Sequence, residues 1–192
     1  MEPIRRADIK PLPEYEKVRD ASRREVIALK KARRVVLGEC VSVVFENRRT
    51  VVHQIQEMMR AEHIYDEALI LHEIETYNKL IPGAGELSAT VFIEVDSPQA
   101  IQPTLDRLRG LDDGRSLVLR IDGVPPIYAV FEAGHSNEEK ISAVHYVRFL
   151  LDAAAQRALR EGAPAALASV HPRYQAETPL SEETRQQLLD DL

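Results

Sequence analysis

Residues 87–95 alternate without a break: Leu87, Ala89, Val91, Ile93 and Val95 fall on one side, and Ser88, Thr90, Phe92 and Glu94 on the other. A helix would scatter those five apolar residues around its axis, so the period of two demands a strand with one face on a core. Just upstream the period changes. Val51, Ile55, Met58 and Met59 fall at i, i+4, i+7 and i+8, which predicts a helix over residues 48–61. Ile70, Ile74, Tyr77 and Ile81 repeat that face in a second helix, opened by Asp66 as N-cap and stopped by Pro82-Gly83. A helical hairpin leading directly into a half-apolar strand can bury its stripe only by packing helix on sheet.

Elsewhere, short strands are expected at 35–37 and 41–45 around Gly38-Glu39, and at 116–121 and 127–132 around Asp122-Gly123. Pro125-Pro126 marks an edge or a bulge. Residues 141–151 read as a strand, because β-branched and aromatic residues alternate from Val144 to Phe149. Residues 165–171 read as the last strand. Helices are expected at 14–34, with a thin stripe of Val18, Val26 and Leu29, and at 98–108, 152–161 and from Ser181 to the end. The expected fold is α+β in one domain over residues 1–192: a mainly antiparallel sheet with an N-terminal helix, a central helical hairpin and a C-terminal helix. Residues 1–13 are expected to be irregular.

With 192 residues the chain can bury a sufficient core without a disulfide or metal. No apolar run approaches the roughly 20 residues of a membrane span, and the charged first ten residues have no signal-peptide core, so a cytoplasmic location is expected. Cys40 is the single cysteine, which rules out an internal disulfide and a Cys-ligated iron–sulfur cluster within the chain. It sits in an apolar run and reads as a buried thiol. The net charge of −6 is uneven: residues 1–50 carry +5 and the rest −11. The basic excess lies in Arg23, Arg24, Lys30, Lys31, Arg33 and Arg34. That patch is either a solvated helix face or a surface for an acidic partner; without interleaved aromatics, nucleic acid is not the expected one.

Two constellations could carry chemistry. Glu46, His53, Glu57, Glu62 and Glu73, with His72 and Glu75, crowd the helical hairpin. His53 and Glu57 are i, i+4 neighbours, and mixed carboxylate and imidazole ligation suits iron, manganese or zinc. These helices nevertheless lack the Glu-x-x-His pairs of a bundle-type di-iron site, and a solvated acidic face competes as the reading. The second constellation is a sheet face. By parity Arg120 and Arg148 share it with Tyr128 and Tyr146, together with Glu94 and Glu132, either as an Arg–carboxylate lattice or as a pocket for a small anion. His145 points to the aliphatic face as a core residue. His135 lies in a loop, and His171-Pro172 turns the chain. Neither a Gly-x-Ser-x-Gly elbow nor a phosphate loop is present.

The run Phe45-Glu46-Asn47-Arg48, then Thr50, Gln54, Gln56-Glu57-Met58, Arg60 and Glu62, resembles an uncharacterised bacterial domain family. So do Tyr77-Asn78, Pro82-Gly83, Gly85 to Thr90, Ile141 to Val144, Tyr146 to Phe149, His171-Pro172 and the Asp191-Leu192 ending. Members of that family are typically encoded beside rubrerythrin-like proteins and iron–sulfur oxidoreductase subunits related to heterodisulfide reductase. The resemblance implies an accessory protein that docks with such a redox partner in oxidative-stress defence, and Arg23, Arg24, Lys30 and Lys31 are the residues expected to meet it.

Overall fold

The computed structural model describes residues 1–132 and 141–192, so the loop around His135 lies outside the described residues. In chain order, a 3-10 turn (Arg6–Asp8) precedes α1 (Leu12–Ala32), the hairpin β1 (Arg34–Leu37) and β2 (Val41–Glu46), and the helical pair α2 (Arg48–Ala61) and α3 (Glu67–Asn78). Then follow β3 (Glu86–Ile93), α4 (Pro98–Leu108), β4 (Leu117–Ile121), β5 (Ile127–Tyr128), β6 (Val130–Phe131) and β7 (Val144–Leu150). The chain closes with α5 (Ala153–Arg160), β8 (Ala165–His171), β9 (Tyr174–Pro179) and α6 (Glu182–Leu189). The fold is α+β, as expected. None of the described helices is long and apolar enough to cross a membrane.

The strands form two antiparallel sheets where one was expected, ordered β1-β2-β3-β7-β6 and β5-β4-β8-β9. The division occurs within residues 127–131. Ile127 and Tyr128 pair with β4, the Ala129 N–H donates to Leu117 O at 2.9 Å, and Val130 and Phe131 then pair with β7. Pro125 and Pro126 cannot donate to a ladder, which leaves this segment short and free to change sheets. At the opposite margin side chains join the sheets. The Tyr174 hydroxyl donates to Leu37 O at 2.6 Å and accepts the Cys40 N–H at 3.0 Å, while the Thr178 hydroxyl donates to Val36 O. Gly38 must be glycine here: its φ is +70°, and a Cβ would lie 2.6 Å from the Tyr174 hydroxyl. Strand β9 was not expected, because only Tyr174 and Ala176 mark its inner face before the run ends in Pro179, too short an alternation to stand out.

The main core lies between the sheets and includes Phe45, Leu87, Val91, Phe149, Leu119 and Leu167; the Phe45 and Phe149 rings are 6.1 Å apart. A second core lies on the other side of the first sheet, where α2 and α3 bury Val51, Ile55, Met59, Ile70 and Ile74. Both faces of β3 are therefore covered. Ser88 and Thr90 are buried under helices, whereas alternation alone would assign them to solvent. Helix α1 buries only Leu12, Tyr15 and Val26, and Val18 is exposed. It is held to α2 by the pairs Arg19–Glu57, Arg49–Glu25 and Arg60–Glu16. Just past it, the fully buried Arg33 donates to Phe45 O, Glu46 O and Gln187 O and pairs with Asp191, tying the C-terminal segment to β2.

Candidate functional site

Strand register assembles the site. On the helix-facing side of the first sheet, Glu46 pairs with Ser88, Ser88 with Arg148, and Arg148 with Val130, so these four side chains form one row across four strands. Thr90 and Tyr146 are partners in the neighbouring row. Cross-strand partners on one face hold their Cβ atoms about 5 Å apart, which makes each row a contiguous strip. The helices cover the β2 end of the strip, and the β6–β7 end opens into a cleft of 320 Å³. Lys79, Ser88, Val130, Phe131, Tyr146 and Arg148 are among its lining residues.

At the covered end Glu46 is sealed, with 1% of its surface exposed. Its carboxyl oxygens accept the hydroxyls of Thr90, at 2.8 Å, and Thr50. Thr50 occupies that position because Asn47 caps α2, accepting the Arg49 and Thr50 N–H groups. At the open end, Arg148 donates to Glu86 and to the carbonyl of Lys79, the C-cap residue of α3. A cation at a helix C-terminus is favourably placed. Glu86 in turn accepts the Gly83 N–H at 2.9 Å, so the turn after α3 is braced against the sheet. Two of the five guanidinium donors of Arg148 serve this brace, and its side chain stays 33% exposed at the cleft. Burial, together with Glu46 and Glu132, pushes the Tyr146 phenol up. Burial and Tyr146 do the same to Tyr77. Both phenols stay protonated at neutral pH, as hydroxyl donors need.

The expected anion-binding quartet is split. Tyr146 and Arg148 line the cleft, but Arg120 and Tyr128 belong to β4 and β5 of the other sheet, where Arg120 pairs with Glu177. Parity could place residues on a face only within one sheet, and the switch at Ala129 breaks that assumption. Lys79, which reaches the cleft from the C-cap of α3, was missed. The Pro82-Gly83 stop signal marks where that helix had to end beside β3.

The expected metal set is likewise not brought together. Glu46 is closed off by its threonines. Glu57 accepts the Tyr15 hydroxyl at 2.7 Å and a bidentate Arg19 pair at 2.8 Å. Arg19 first, then Tyr15, holds its carboxyl down at about 2. His53 faces α1 with its Nε2 buried and unpartnered, and burial lowers its pKa. Glu62 is exposed as the C-cap of α2, and Glu73 is half-buried on α3. Among the described residues no three His, Cys, Asp or Glu side chains are grouped to hold an ion. Of the expected docking residues, Arg23, Arg24 and Lys31 are exposed on α1 and Lys30 is half-buried. His145 is the core residue expected of it, buried against Phe131 with Nε2 2.8 Å from Ser142 O.

Comparison with known proteins agrees with this picture of the fold. Residues 3–192 match the family described as "Protein of unknown function (DUF3501)". No curated protein matches the chain. The crystal structure of a novel protein of unknown function from Burkholderia pseudomallei K96243, at 1.90 Å resolution, is similar over 100% of both chains, with 33% identity and a TM-score of 0.92.

Proposed function

The chain belongs to the DUF3501 family, and from that premise we propose that it is a binding protein for a small anion, held in the cleft at the open end of the first sheet. The observation that carries this is the convergence of Lys79 and Arg148 with the hydroxyls of Ser88 and Tyr146 on one concave site backed by Leu80, Val130 and Phe131. A guanidinium and an ammonium, outnumbering the Glu132 carboxylate and set beside hydroxyl donors on an apolar wall, is a composition that suits a carboxylate or phosphate of ligand size. Glu46 and its threonines fix the covered end of the row that reaches the cleft through Ser88, and the Arg148–Glu86–Gly83 brace fixes the rim, so the site is preorganised.

Isothermal titration with acetate, succinate, phosphate and sulfate tests this. A charge-assisted contact contributes roughly 1.5–3 kcal/mol, so Arg148→Gln should weaken binding by about tenfold or more. Lys79→Ala, whose side chain is outside the brace, should weaken it severalfold without lowering the melting temperature. Binding unaffected by either substitution would move the site elsewhere, and no heat from any of the four anions would end the reading.

A second reading is favoured by α1. Ile27 is 56% exposed between Arg23, Arg24 and Lys31, and none of these three cations forms an ion pair among the described residues. An apolar residue ringed by unpaired cations suits an acidic protein surface. The resemblance supplies the candidate: a cytoplasmic iron–sulfur or rubrerythrin-like protein of oxidative-stress defence. Charge reversal at Arg23, Arg24, Lys30 and Lys31 should then abolish co-purification with that partner; an undiminished complex would discard this surface.

A further inference from the structure

We infer that the anion bound in this cleft carries an apolar tail: the site takes an acyl carboxylate, its head at Lys79 and Arg148 and its chain lying across Val130 toward Leu150 and Tyr128. The inference rests on the anion-site reading and names its ligand class. Arg148 and Leu150 are two residues apart on β7, so they share a face about 7 Å apart, and Val130 is the cross-strand partner of Arg148. Val130 is a wall of two clefts at once, the 320 Å³ one described above and a 300 Å³ neighbour bounded by Pro126, Tyr128 and Leu150. Val130, Leu150 and Tyr128 are 52%, 55% and 49% exposed, a continuous apolar ridge that the helices leave uncovered. Contiguous exposed apolar surface beside a polar site marks a place where something apolar binds.

Charge decides what that something is and which way it lies. Both cations belong to the first cleft, where they outnumber Glu132, the one carboxylate of its lining. The second is lined by no cation, and its one ionised side chain is Asp152, which caps α5 by accepting the Ala155 N–H. An anionic head is therefore attracted only to the Lys79–Arg148 end and repelled at the other. The apolar ridge takes the remainder of the molecule.

Titration with acetate, hexanoate and decanoate, the last below its micelle concentration, reads this directly. Affinity should rise steeply along the series, by up to about fourfold for each methylene that is buried. Leu150→Ser, which lies outside the first cleft, should flatten the rise while leaving acetate binding at its wild-type strength, and Arg148→Gln should weaken all three acids. If the three acids bind equally, the tail has no site and this inference fails while the anion site stands. If succinate or phosphate binds but none of the three acids does, it fails in the same way. If no anion of either panel binds, both readings fall together. Equal binding of decanol and decanoate, insensitive to Arg148→Gln, would also overturn it, since the ridge would then bind apolar surface without regard to a head group.

Discussion

Replacing Arg33 by Ala is expected to cost about 3–5 kcal/mol, the range found when one partner of a buried ion pair is removed. Both side chains are almost wholly buried, Arg33 at 1% and Asp191 at 3% exposure. Arg33 also satisfies three carbonyls, those of Phe45, Glu46 and Gln187, which the truncation leaves without their donor. Burial pushes the Asp191 carboxyl up even though Arg33 opposes it, and without the guanidinium the carboxyl would be protonated still more readily. Against a total stability of 5–15 kcal/mol, typical of a domain, the loss would remove a large part of the margin. Urea unfolding should show the midpoint falling with the slope little changed. The double change Arg33→Met with Asp191→Leu should be markedly less costly, because it leaves no unpaired charge. An Arg33→Ala protein as stable as the parent would mean that the C-terminal segment is not anchored by this pair.

The second large effect is acid sensitivity at Glu57. Its folded-state pKa of about 2, against 4.5 for the free side chain, means that the native state favours the ionised form. A depressed carboxyl contributes stability that is complete above about pH 4.5 and is lost as pH falls toward 2. The displacement corresponds to about 3 kcal/mol at most. Partial screening of a side chain that is 29% exposed brings the expectation to about 2 kcal/mol. Glu57→Gln should therefore be less stable than the parent by about that amount at pH 7, and the gap should narrow below about pH 4.5 and close only as pH approaches 2. Measuring the difference between the two proteins cancels Asp191, whose raised pKa acts with the opposite sign in both. A gap that stays constant down to pH 3 would show that the Arg19–Glu57–Tyr15 cluster contributes by packing alone.

The secondary structure was legible where one force dominated. Alternation over residues 87–95, the i, i+4, i+7, i+8 stripe of α2 and the Asp66 and Ser181 caps each specify an element from local information, and α2 and α4 appear with the bounds expected of them. What could not be read was how strands combine. Nothing local in Tyr128-Ala129-Val130 announces that one segment serves two sheets, so Arg120 and Arg148 looked like neighbours when they are not. Half of the candidate site, Tyr146 and Arg148 with Ser88 beside them, followed from parity within a single sheet. Lys79 and Phe131 required knowledge of where α3 ends above the sheet and where the chain crosses between sheets. The acidic hairpin misled in the opposite direction, since composition records how many carboxylates are present but not that Thr50, Thr90, Tyr15 and Arg19 already engage two of them.

That the cleft between the end of α3 and strands β6–β7 is a ligand site is tested most directly by amide chemical-shift mapping during titration with decanoate. The expected result is a saturable perturbation confined to Lys79, Leu80, Ser88, Val130, Tyr146, Arg148 and Leu150, moved to at least about tenfold higher decanoate concentration in Arg148→Gln. Saturable shifts confined to α1 or to the outer face of the β4–β8–β9 sheet, with these seven amides unmoved, would contradict it.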